Sequence, residues 1–272
     1  MCDGSCEMLE KDYFDDYVKK SNMVWKWLVS KSASCEQVVS NICRLRNYSS
    51  EEMYDELLKI GFVFIPDTVG VSVLNDSRFS DLRLFTEKGN FLLTNRYIFP
   101  VRDMLGNILA FIGWYPDDKR YITTPSKLFR KDCLFFGLEQ LKSTGIGSFY
   151  VLVEGIFDSI AVRSLGYNAI AQMGSIASPQ KEVLYGMFKR LLAIPDADKT
   201  GREVVVTDRW KIPVGSSYLI WYDDREKAIK SDKQGKRIKD IDDLIKCYGK
   251  DYSRYLIDDA KEDSSRVISF KL

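Results

Sequence analysis

From Ser148 to Tyr248 short continuous apolar runs alternate with helical segments of about ten residues, and this alternation constrains the fold more than any other feature. The runs Phe149–Val153, Asn168–Gln172, Leu191–Ile194 and Ser217–Trp221 are separated by segments with helical spacing at Phe157–Ser164, Pro179–Phe188 and Gly201–Trp210, and Ile241–Tyr248 follows the last of them. Strands that are apolar on both faces and recur with intervening helices make a parallel sheet covered on both sides. In such a sheet ligands bind beyond the carboxyl ends of the strands, so the residues that leave each strand carry the chemical information.

Those residues are acidic. The first strand runs into Glu154-Gly155, with Asp158 one helical turn later, and Gly155 is expected to let the backbone turn sharply. The third runs into Pro195-Asp196-Ala197-Asp198, where alternation points Asp196 and Asp198 the same way, and Gly201 opens the next helix. After the fourth, a charged stretch ends in Asp240-Ile241-Asp242-Asp243. Taken singly, Asp198 or Asp243 before a helix reads as an N-cap. Three acidic strand exits in one sheet read differently, because converging carboxylates repel one another unless a cation neutralises them. A hard divalent cation with oxygen ligands, Mg²⁺ or Mn²⁺, is the expected solution.

The chain contains no histidine, which excludes an imidazole base or a His-ligated metal. Its six cysteines include no CxxC pair, so no zinc is expected. No apolar run is long enough to span a membrane, and the N-terminus lacks signal-peptide character, so a soluble cytoplasmic protein is expected. The formal net charge of +1 confines any nucleic-acid contact to a local patch.

Ahead of Ser148 the pattern is different. Residues 1–60 read as helical, with stripes at Tyr13–Leu28 and Cys35–Cys43 and a capped helix Met53–Ile60 that Gly61 ends. Short β segments follow at Phe62–Ile65, Val69–Leu74, Tyr97–Val101 and Ile108–Trp114. The expected organisation is an N-terminal α+β subdomain over 1–145, a parallel α/β domain over 146–249 and a helical tail over 250–272.

Glu154-Gly155 with Asp158, Asp196-Ala197-Asp198 with Gly201, and Asp240-Ile241-Asp242 resemble the Toprim signature shared by DnaG-type primases, topoisomerases and certain nucleases. The segments Arg96–Asp103, Arg120–Pro125, Phe129-Arg130-Lys131 and Phe136-Gly137 resemble the basic subdomain that precedes Toprim in bacterial and phage primases. The resemblance spans about residues 96–248, with Ala197 in place of a usual glycine and Thr123 in place of a usual asparagine, and without the zinc ribbon and helicase-associated portions of those primases. It implies a compact phage-type DNA primase that synthesises short primers on single-stranded DNA from nucleoside triphosphates, in a bacterial host cytoplasm. A replicative helicase or another replisome subunit is the implied partner.

In that reading Asp196, Asp198 and Asp240 bind metal, with Asp242 either sharing it or supporting them from behind, Glu154 binds metal or positions or deprotonates the attacking hydroxyl, and Asp158 and Gly155 support the loop. Arg102, Arg120 and Lys131 grip triphosphate or template backbone. Tyr121 and Phe129 are candidates for stacking on bases, and the run Arg225–Lys239 is expected to be a charged loop close to the metal site. A Toprim nuclease and a non-catalytic single-strand-binding adaptor are the alternatives. The basic segment disfavours the first, and an acidic cluster that is costly without metal disfavours the second.

Overall fold

In the computed structural model the described residues are 11–117, 120–124, 133–145, 147–174, 177–222 and 238–271. Three helices come first among the described residues: α1 (Lys11–Lys31), α2 (Cys35–Arg46) and α3 (Glu51–Ile60). Ser34 and Ser50 cap α2 and α3 through their hydroxyls, and Asn47 ends α2 in the left-handed conformation. Strands β1 (Val63–Ile65), β2 (Arg96–Arg102), β3 (Ile108–Trp114) and β4 (Tyr121–Thr123) then form an antiparallel sheet in chain order.

Period-2 alternation gives that sheet two working faces. Ile98, Ile108 and Phe111 pack with Val24 and Leu28 of α1, whereas Tyr97, Phe99, Ile112 and Trp114 face the second half of the chain. Tyr17 anchors α1 by donating its hydroxyl to the Leu109 carbonyl at 2.7 Å.

The second sheet is parallel, in the order β6-β5-β7-β8-β9, with β5 at Tyr150–Val153, β6 at Asn168–Ala171, β7 at Leu191–Ile194, β8 at Ser217–Tyr222 and β9 at Val267–Lys271. Around it lie α4 (Leu141–Thr144), α5 (Ile156–Ser164), α6 (Pro179–Tyr185), α7 (Lys199–Val206), α8 (Ile241–Tyr248) and α9 (Lys250–Glu262). Val151, Val153 and Leu219 bury one face against α5, α8 and α9, and Tyr150, Leu152 and Leu191 bury the other with Tyr185 of α6 and Val204 of α7. The first of these cores runs on into α2, α3 and the inner face of the antiparallel sheet, so the two halves share one apolar interior. A half-buried ion network reinforces the join, with Arg163 of α5 bonding Glu56 of α3 at 3.0 Å and Glu139 at 3.3 Å.

Register decides where the acids go. Val153 at the end of β5 pairs with Ala171 of β6 and Ile194 of β7, so the three strands finish level and Glu154, Gln172 and Asp196 leave the sheet along one edge.

Three expectations are corrected. Val69–Leu74 is not a strand: Pro66 turns the chain, with Val69 N–H donating to its carbonyl, and Ser72–Leu74 forms a 3₁₀ turn. The β-propensity of Val69, Val71 and Val73 has no neighbouring strand to act on. The helix expected over Gly201–Trp210 stops at Val206, because the chain turns through a left-handed Asp208 to bury Trp210. The tail after Lys250 is not only helical, since β9 pairs in parallel with β8, Tyr218 opposite Val267 through Tyr222 opposite Lys271.

Candidate active site

The level ends of β5 and β7 open into a cavity of about 860 Å³, closed on the far side by the antiparallel sheet and the end of α2. Its acidic wall is Glu154, Asp158, Asp196, Asp198, Asp240 and Asp243, and its opposite wall is Trp114, Tyr121, Thr123 and Phe157.

Local structure fixes each acid. Asp198 caps α7, accepting from Gly201 N–H at 2.9 Å, and Asp240 caps α8, accepting from Asp243 N–H at 2.8 Å. The cap at α8 is therefore Asp240 and not Asp243. Capping uses one oxygen of each carboxylate and leaves a second for other chemistry. Gly201 lets the first turn of α7 close onto the strand exit, because a Cβ there meets the Asp196 carbonyl oxygen at 1.8 Å. Gly201→Ala is expected to destabilise the fold by about 1–3 kcal/mol and to displace Asp196, measured as a lower Tm together with lost activity. Gly155 is needed for a reason other than the sharp turn expected of it: its φ of −103° is ordinary, but a Cβ meets Asp158 Oδ2 at 2.4 Å.

Crowded acids with little water bind protons tightly. Burial, then Asp196 and Asp198, pushes the Glu154 carboxyl up to about 7. Burial, then Asp243 and Asp242, pushes Asp240 up to about 6. Burial also raises Asp196, although the ammonium of Lys239, 2.9 Å from its Oδ2, pulls it back. Asp158, raised well above its usual range by burial and by Asp240, accepts from Asp242 N–H at 3.4 Å and so ties α5 to the first turn of α8.

These shifts predict a pH dependence. Folded Glu154 and Asp240 hold protons that their unfolded forms release, so their contribution to stability is present below about pH 4 and is lost as pH rises through about 6–7. At about 1.4 kcal/mol per tenfold in proton affinity, Glu154 alone accounts for about 3 kcal/mol. Calorimetry in metal-free buffer is expected to show stability falling between pH 4.5 and 8, with a shallower slope in Glu154→Gln. Equal slopes would refute the assignment.

No family profile matches the chain. Among curated proteins it is 32% identical over 113 residues to the DNA primase of Clostridium acetobutylicum, a match covering 40% of this chain and 19% of that protein. It is 24% identical over 204 residues to the DNA primase of Thermotoga maritima, covering 69% of this chain and 35% of that protein. The chain thus spans well under half the length of these relatives. Among solved structures, a DnaG primase catalytic domain bound to ssDNA superposes with a TM-score of 0.70 at 16% identity, over 90% of this chain and 79% of that one. The zinc-binding and RNA polymerase domains of Aquifex aeolicus primase give 0.63 at 24% identity, over 93% and 62%. The chain has the fold of a DnaG primase catalytic core.

Within this fold the residues singled out from sequence separate into two groups. Glu154, Gly155, Asp158, Asp196, Asp198 and Asp240 meet at the cavity; Asp242 and Arg102 do not line it. Asp242 is buried at 1% exposure, and its Oδ2 accepts from Arg46 at 2.6 Å, Lys246 at 2.7 Å and Tyr48 at 3.1 Å. Two cations already hold that oxygen, and it is Asp243, not Asp242, that lines the cavity. Arg102 sits at the hairpin end of β2, away from Ile112 and Trp114 that line the cavity, and donates to the Gly106 carbonyl at 3.0 Å. Arg120 is exposed beside Tyr121. Lys131, with Lys127, Phe129, Arg130 and the charged run up to Arg237, lies outside the described residues.

Arg46 was not foreseen. It lies over the Phe157 ring at 4.3 Å, with Tyr48 and Trp114 within 6 Å, and lines the cavity. In the sequence it is one of two bases ending α2, with Arg44, and nothing local distinguishes it. Lys239 was foreseen only as the end of a charged loop. Its place next to Asp240 was the available signal.

Proposed function

We propose that this core performs the primase reaction: template-directed, metal-dependent joining of nucleoside triphosphates into short primers on single-stranded DNA. The observation that carries the reading is the convergence of Glu154, Asp196, Asp198 and Asp240 on one cavity between a parallel sheet and an antiparallel sheet. The similarity to proteins named DNA primase supports it.

The donor set fits a hard divalent cation, Mg²⁺ or Mn²⁺. All the candidate donors are carboxylate oxygens, and Glu154 Oε2 is buried with no hydrogen-bond partner among the described residues. No three acids or cysteines form a ready-made cage among those residues, and the Lys239 ammonium rests on Asp196. Asp196, Asp198, Asp240 and Glu154 would hold it, with Asp243 alongside. When bound, such an ion neutralises charge on the transferring phosphate and lowers the proton affinity of an attacking oxygen.

The protein's own groups do the rest. The 3′-hydroxyl oxygen attacks the α-phosphorus, its proton leaves, and the bond to pyrophosphate breaks. Where Glu154 is not itself a ligand of the cation, its unpartnered Oε2 is placed to take that proton. The half-exposed Tyr121 phenol offers a neutral donor opposite the acids, and its ring is a surface for a base. Arg120 and Lys131 remain candidates for phosphate. Among the described residues no helix is long and apolar enough to cross a membrane. Work in the cytoplasm beside a helicase or other replisome subunit is part of the same proposal.

The test is incubation of the protein with mixed-sequence single-stranded DNA, labelled nucleoside triphosphates and Mg²⁺ or Mn²⁺, resolved on a denaturing gel. Short template-dependent oligonucleotides support the reading. Cleaved template indicates a nuclease instead, and binding with neither product, even with a candidate helicase, indicates an adaptor.

A further inference from the structure

Of the basic residues that line the cavity among the described residues, Arg46 and Lys246 are committed to the buried Asp242. Lys239 is held differently. Its backbone is fixed between the two acidic segments: its carbonyl accepts from Ala197 N–H at 2.5 Å, and its N–H donates to Asp243 Oδ2 at 3.5 Å. Its side chain is 50% exposed, and the ammonium rests on Asp196 Oδ2 at 2.9 Å. A head on a flexible stem, on a pinned backbone and half in solvent, can change partners without moving the chain.

Its present partner is an acid that the primase reading gives to a cation. We propose that Lys239 is a resident counter-ion, neutralising Asp196 while the cavity holds no divalent cation and moving to the phosphates of a bound nucleoside triphosphate when a cation takes the carboxylates. The inference rests on the primase reading and deepens it. An ammonium and a divalent cation compete for the same oxygen, and the triphosphate that arrives with the cation offers the displaced ammonium a more negative partner. Lys239 thereby discourages cation binding in the empty site and couples it to nucleotide.

The test measures binding, not turnover. Mn²⁺ affinity of the full chain is read from the free-ion electron paramagnetic resonance signal, and GTP affinity in saturating Mn²⁺ without template is read by calorimetry. Without nucleotide, Lys239→Met is expected to bind Mn²⁺ about tenfold more tightly, the size of the repulsion between a single and a double charge about 6 Å apart at the dielectric of water. It is expected to bind GTP about tenfold more weakly, while Lys239→Arg stays near wild type in both. Mn²⁺ binding that responds to Asp196→Asn but not to Lys239→Met overturns this inference alone, as does unchanged GTP affinity in Lys239→Met. Mn²⁺ binding that ignores Asp196→Asn overturns the primase reading and this inference with it.

Discussion

Asp196→Asn is expected to lower primer synthesis by about 10²–10³-fold, the loss typical of removing one preorganised electrostatic group from a reacting centre. The substitution keeps the shape of the side chain and removes its charge. Asp198 still caps α7 and Gly201 still closes on the strand exit, so the helix frame around the site stays in place. Lys239 loses its partner, and the acids beside it lose one source of repulsion. Thermal stability at neutral pH in metal-free buffer should therefore change little while the activity falls. A gel assay and a melting curve on the same preparation check this. Retained synthesis would remove Asp196 from the reacting centre, and a large fall in Tm would make the loss one of folding.

Arg46→Met is expected to cost about 3 kcal/mol of stability, the lower end of the range for removing one member of a buried pair. Asp242 is 2% exposed at its side chain, and its Oδ1 has no partner among the described residues, so its charge depends on what reaches Oδ2. Without Arg46 that is Lys246 and the Tyr48 hydroxyl. The guanidinium's stacking on Phe157 is also lost, and lysine, a point charge without a planar face, would not restore it. The partner variant decides the cause. In Arg46→Met/Asp242→Leu no carboxylate is stranded, and most of the loss should return, a coupling that a double-mutant cycle in urea measures. Independent, additive losses would mean that Arg46 acts by packing alone. Because Asp242 lies in the first turn of α8 behind Asp240, the single variant should also loosen the third acidic segment and reduce priming beyond the stability cost.

How much was legible differs by element. Apolar runs of β5 to β8 and the helical spacing between them fix a parallel sheet because burial on both faces leaves no other pattern. Glu154 and Asp196 were visible because a strand exit in such a sheet is a defined place, and Asp240 because acids two apart precede the next helix. Sheet order, register and contacts between distant segments were not visible in this way. Asp242 and Asp243 are neighbours with the same chemistry, and spacing favoured the first. Only the packing of α8 against Arg46, Tyr48 and Asp158 turns Asp242 inward and leaves Asp243 at the cavity. Arg102 sits in a basic motif, yet the antiparallel register places it at the far end of the hairpin.

The sequence by itself determined a layered α/β half with acids at its strand exits, since hydrophobic period and strand termination are local properties of the chain. The tertiary structure alone decided which acids share a cavity, that Arg46 from the second helix reaches Asp242 across 196 positions, and that Val267–Lys271 completes the sheet. Those outcomes depend on long-range packing, in which the partner of a charge or a strand edge is chosen by what else must be buried beside it.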